Sequence, residues 1–142
     1  MNQRGFATLE VILMVMVIGI LASIAVPKFT AVTTAANTAK IQADLSTLDA
    51  AIALYYMEND KYPTEIGDLT KYLQEEVKPP TGKALIKTTG TDNTITIPST
   101  YDLSEDKTRA VLKVGSEEYT VGDFSTKKST ASETSTTPAQ EG

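Results

Sequence analysis

The chain contains no cysteine, no histidine and no tryptophan. Without cysteine there is no disulfide framework and no thiolate centre; without histidine there is no His-based nucleophilic triad and no imidazole metal ligand. General acid–base chemistry would fall to carboxylates, Lys or Tyr, and the sequence does not gather these into a cluster, so an enzyme is not expected. An excess of basic charge is missing too. Thirteen Lys and Arg stand against 18 Asp and Glu, a formal net charge of −5. The bulk surface therefore does not favour polyanions. Lys83, Lys87, Lys107, Arg109 and Lys113 could form a local basic patch, but each reads more simply as a solvated strand or turn residue. No N-x-S/T acceptor occurs.

What the chain does have is one long apolar run. "FATLEVILMVMVIGILASIAV", residues 6–26, carries a single charge, Glu10. At about 1.5 Å per residue such a helix spans about 32 Å, close to a bilayer core of roughly 30 Å. It is apolar on every face, unlike an amphipathic surface helix. A secretory signal peptide would place Ser23 and Ala25 before a cut at Val26, but the run is long for that role and Glu10 interrupts it. A plain anchor explains the length and leaves the carboxylate unexplained. An acidic residue deep in a span costs roughly 2.5–3.5 kcal/mol, less near an end. A cut between Gly5 and Phe6 would give Glu10 a partner. The new ammonium would lie four residues before Glu10, in reach within one chain or from the Phe6 of an adjacent copy. An intermolecular pair would act as a register device, as a buried polar residue does in coiled coils.

These residues carry a resemblance. "GFATLEVILMVMVIGILASIAVP" resembles the class III leader and N-terminal helix of type IV pilins and pseudopilins. A short leader ends in Gly5, Phe6 follows the cut, Glu10 occupies the family's glutamate position, and Gly19 and Pro27 stand at its helix-loosening positions. The family's commonest wording is nearer "GFTLIELL"; Ala7 and the order "ATLEV" depart from it and leave the bond and the glutamate intact. The resemblance is strong over residues 4–63 and weak beyond. It implies a prepilin peptidase that cuts at Gly5 and N-methylates Phe6. It also implies a precursor in the cytoplasmic (inner) membrane with its leader inside, and later an extracellular pilus or a pseudopilus. Arg4 against Lys28 and Lys40 supports that orientation only poorly.

After Pro27 the text stays helical. Residues 28–59 hold no Gly or Pro, and Ile41, Leu45, Leu48, Ile52 and Tyr55 recur at spacings of four and three. Gln42, Asp44, Ser46, Asp49 and Glu58 lie largely off that stripe. One helix over residues 6–59 is expected, its first half uniformly apolar and its second amphipathic. Only lipid or copies of itself can cover the first half. Gly19 and Ser23 are a small-xxx-small pair that admits close helix approach. Pro27 removes a backbone donor, which predicts either a bend between Gly19 and Pro27 or a simple kink at the membrane surface.

Pro63 stops the helix. "TEIGDLTKYL" predicts a short second helix through Ile66, Leu69 and Leu73, and "KPPTG" breaks the chain. Strands are expected over residues 83–89, 94–97, 109–114 and 117–121, forming one antiparallel meander of three or four strands on the amphipathic half of the helix. The fold class is thus α+β and pilin-like. Its parts are a leader (1–5), a transmembrane or filament-core helix (6–27), a globular head (28–124) and a tail (125–142). Half of the tail is Ser or Thr and none of it is a large hydrophobe, so disorder is expected, with an O-glycosylated brush as the functional alternative.

Asp102, Glu105, Asp106 and Asp123 are candidate oxygen ligands for calcium, though no spaced ligand loop is present and no cofactor is expected. Without cysteine the chain cannot close the C-terminal disulfide loop of many pilins. By resemblance the partners are copies of itself, the prepilin peptidase, an assembly platform and minor pilins, with DNA or surfaces as further contacts. The expected function is a type IV pilus subunit serving adhesion, motility, biofilm formation or DNA uptake. The alternative is a major pseudopilin of type II secretion or competence.

Overall fold

The computed structural model describes residues 3–87 and 93–125 of the 142. The chain divides into two compact units, one ending at Thr34 and one beginning at Ala35. A single α-helix, α1 (Gln3–Asn59), runs through both. Its first turns begin three residues before the expected start, and its end at Asn59 is the expected one.

In the first unit α1 continues without a break through Gly19 and Pro27. Nearly every residue from Phe6 to Val32 is exposed, as expected of an all-round apolar helix that no other described residue covers. Just beyond the proline, three threonine hydroxyls donate back one turn: Thr30 Oγ1 to the Val26 carbonyl (3.3 Å), Thr33 Oγ1 to Phe29 (2.9 Å) and Thr34 Oγ1 to Thr30 (2.8 Å).

In the second unit the predicted stripe becomes the core. Ile41, Leu45, Leu48, Ala51 and Ile52 are fully buried, and Tyr55 packs at their edge. Against them lie Leu69, Ala84, Ile86, Tyr101, Leu103, Leu112 and Phe124. Burying a Leu or Ile side chain is worth about 1.5–3 kcal/mol, so this cluster is the main source of the head's stability. The helix ends where Asp60 turns left-handed (φ 55°) and donates its N–H to the Tyr56 carbonyl, while Asn59 Nδ2 bonds the Tyr55 carbonyl. The expected short helix is present as a 3-10 helix, Ile66–Tyr72. It docks on α1 through Lys71 and Tyr72, which both bond Glu58.

The strands differ from a single meander. β1 (Lys83–Leu85) pairs antiparallel with β2 (Thr94–Thr96) in one sheet. β3 (Asp102–Leu103), β4 (Ala110–Val114) and β5 (Glu117–Tyr119) form a second, in that order. The interruption falls at Pro98, which has no N–H to continue a ladder. A bridge between Ile86 and Phe124 brings the end of the described chain back beside β1. The last part of the predicted strand 83–89 and the tail after Ser125 lie outside the described residues.

Candidate assembly helix and its head

Glu10 and Phe6 are four residues apart in α1 and so share a helix face. Both side chains are exposed, Phe6 at 77%. No ion pair joins Glu10 to another described residue. A Cβ added at Gly5 or Gly19 would meet nothing within 4 Å. Among the described residues, then, no contact requires either position to be glycine. Ser23, one turn beyond Gly19, is likewise exposed. Among the described residues α1 is the one helix long and apolar enough to cross a membrane.

On the head side, polar residues of α1 complete the backbone of both sheets. Asn37 Nδ2 donates to the carbonyls of Thr81 (3.0 Å) and Lys83 (3.2 Å). The fully buried Thr38 accepts the Leu85 N–H at 2.8 Å. Gln42 Nε2 donates to the Phe124 carbonyl (3.2 Å), and Asp49 accepts the Ala110 N–H (2.6 Å). Asp44 receives the Tyr101 hydroxyl at 2.7 Å and pairs with Lys40 at 2.6 Å. Burial and then this hydrogen bond push the Tyr101 hydroxyl well above the usual tyrosine range. Gln42, Asp44 and Asp49 read in the sequence as residues off the apolar stripe. The structure gives them partners, because the flanks of a buried stripe face the margins of whatever packs on it.

The four carboxylates considered for calcium are not brought together. Asp102 accepts the Leu103 N–H and pairs with Lys113 at 3.2 Å. That bond and one to Glu118 raise the Lys113 ammonium. Asp106 is consumed inside its own turn by the Ser104 hydroxyl (2.7 Å) and by the hydroxyl and N–H of Thr108. These bonds pull its carboxyl down to about 2. Asp123 accepts the N–H and hydroxyl of Thr120, both at 2.7 Å. Glu105 is exposed. Among the described residues no group of three or more acidic side chains could hold a metal. A cavity of about 440 Å³ opens between the 3-10 helix and Tyr101; Ile66, Leu73, Val77 and Pro79 are among its lining residues, together with polar ones such as Thr70 and Glu75.

No family model matches the chain, and no solved structure does. Curated relatives do. The type II secretion system core protein G of Klebsiella michiganensis is 33% identical over 79 residues, covering 56% of each chain. That of Escherichia coli K12 is 33% identical over 79 residues, 56% of this chain and 54% of the relative. That of Pseudomonas aeruginosa is 33% identical over 82 residues, 57% and 54%. The matched part thus spans about half the length of these relatives. Over about half of its length, and with the Gly–Phe junction and the glutamate four residues beyond it, the chain is similar to these core protein G relatives.

Proposed function

We propose that the chain is the major pseudopilin of a type II secretion system, a structural subunit and not a catalyst. The observation that carries this is the likeness to core protein G from several organisms. It favours the pseudopilin alternative over the type IV pilus subunit expected first. The chain enters the cytoplasmic membrane through residues 6–27 with its leader inside. A prepilin peptidase cuts between Gly5 and Phe6 and methylates the new amine. Copies then assemble through their apolar helices into a filament beyond that membrane, with minor pseudopilins and an assembly platform as partners. Glu10 neutralises the Phe6 amine of an adjoining copy on entry; its exposed position on the same face as Phe6, with no ion pair to another described residue, supports that role. Gly19 and Ser23 admit the neighbouring helix, and their open surroundings are consistent with this.

Deletion of the gene in its own host tests the reading. Loss of a defined set of secreted proteins, with surface fibres unchanged, is the expected result. Intact secretion accompanied by loss of retractable surface fibres would move the assignment to the pilus.

A further inference from the structure

We propose that residues 73–78 of the head form a strap that opens and closes, held shut by a latch that Lys40 and Asp44 of α1 supply. The larger cavity, of about 440 Å³, has Leu73, Gln74, Glu75 and Val77 in its wall. A second cavity, of about 380 Å³ and lined also by Thr47 and Tyr72, shares those four residues. The strap is therefore a partition between two cavities. Leu73 and Val77 are half-buried at the edge of the core, and residues 74–76 are exposed. Among the described residues no backbone–backbone hydrogen bond involves residues 74–77. Segments with few apolar contacts and no backbone ladder are the ones that open locally at small cost.

The strap is held at its ends. At the first, the Leu73 N–H reaches the Thr70 carbonyl at 3.4 Å, a long bond. At the second, Lys40 Nζ donates both to the Lys78 carbonyl (3.2 Å) and to the Asp44 carboxylate (2.6 Å). Asp44 also takes the Tyr101 hydroxyl at 2.7 Å. Lys78 and Tyr101 both line the larger cavity, so one relay through Lys40 and Asp44 ties two parts of its wall to α1. Hydrogen bonds to charged groups are the strong ones, and a connected set of them reinforces itself. The Lys40 side chain is half exposed while that of Asp44 is mostly covered, so the latch is reached from solvent without entering the core. When it releases, the strap lifts between Leu73 and Pro79 and brings Leu73 and Val77 into solvent. Thr81, beyond the two prolines, stays tied to Asn37. Every contact in the latch lies within the second compact unit, so the proposal stands apart from the secretion reading.

Because the chain lacks cysteine, a single introduced thiol reports the movement. The full chain in detergent micelles, carrying Val77→Cys, should react slowly with a maleimide while the latch is intact. Adding Lys40→Met, which keeps a stem of similar length and removes the ammonium, should speed that reaction at least about tenfold. Ala51→Cys, at a fully buried position of the core, should keep its rate when Lys40→Met is added. Lys40→Arg, which keeps a cation and its donors, should restore slow labelling at Val77→Cys. An unchanged rate at Val77→Cys in the Lys40→Met background would show that no latch holds the strap. Equal acceleration at Val77→Cys and Ala51→Cys would show that Lys40 supports the whole head and not the strap. Either result overturns the proposal.

Discussion

The carboxylate of Asp49, on the flank of α1, accepts the backbone N–H of Ala110 at 2.6 Å, the first residue of β4. Ala110 is fully buried, so no water can replace that acceptor. Asp49→Ala should destabilise the head by about 1–3 kcal/mol, whereas Asp49→Asn, which keeps an oxygen, should cost less. Urea unfolding followed by circular dichroism separates the two; equal losses would mean the hydrogen bond contributes nothing beyond side-chain packing.

The buried stripe predicts a larger effect. Leu48 is fully buried among α1 and sheet residues, and Leu48→Ala should cost about 2–5 kcal/mol through lost burial and the cavity left behind. The exposed Leu54, on the same helix, should tolerate alanine within about 0.5 kcal/mol in the isolated subunit. Thermal melts of both variants check the contrast.

Acid should loosen the turn between β3 and β4. The Asp106 carboxyl sits at about 2 in the folded chain, chiefly because the Ser104 hydroxyl bonds it, followed by Thr108. In the unfolded chain it should titrate near the ordinary value of about 3.9. Its stabilising contribution is therefore complete above pH of about 4 and is lost as pH falls toward about 2. Carboxyl-carbon chemical shifts should place its midpoint near 2. A midpoint near 4 would remove the turn's role, and Asp106→Asn should flatten this part of the acid dependence.

Asp60 holds a left-handed conformation at the end of α1 (φ 55°). Glycine adopts that conformation without the side-chain penalty, so Asp60→Gly should raise stability by up to about 1 kcal/mol. A lowered melting temperature would show that the Asp60 side chain contributes more than its backbone strain costs.

For Glu10→Ala, cleavage after Gly5 should continue while incorporation into filaments falls sharply. Mass spectrometry of the mature amino terminus and sedimentation of sheared filaments read the two steps separately. Normal incorporation would remove the charge-pairing argument.

Much of this architecture is legible in the sequence, for reasons visible in particular residues. The stripe from Ile41 to Ile52 is periodic over several turns, and periodicity of that length has few alternative explanations. Asn59 marks the helix end because Pro63 and the polar residues before it cannot extend an amphipathic helix. β3 is not legible there because two residues, Asp102 and Leu103, carry no alternation and become a strand only when β4 supplies a partner. The division into two sheets turned on Pro98, whose effect depends on the pairing around it. The partners of Asn37, Thr38, Gln42 and Asp49 were invisible for the same reason: a side chain on a helix flank reveals a capacity to bond, while its partner is fixed only by tertiary placement. At Gly5 and Glu10 the reverse holds. The sequence pattern speaks clearly there, and among the described residues no ion pair to Glu10 and no contact crowding Gly5 explains it.

The four α1 positions that bond sheet backbone limit how this protein can be re-engineered. A chimera joining this globular portion to another subunit's stalk would have to transplant Asn37, Thr38, Gln42 and Asp49 along with it. Any splice point chosen C-terminal to Asp49 would strip donors and acceptors from strands whose own sequence had not been altered. The natural seam for exchanging modules lies ahead of Asn37, however much the sequence after Pro63 looks like the start of an independent domain.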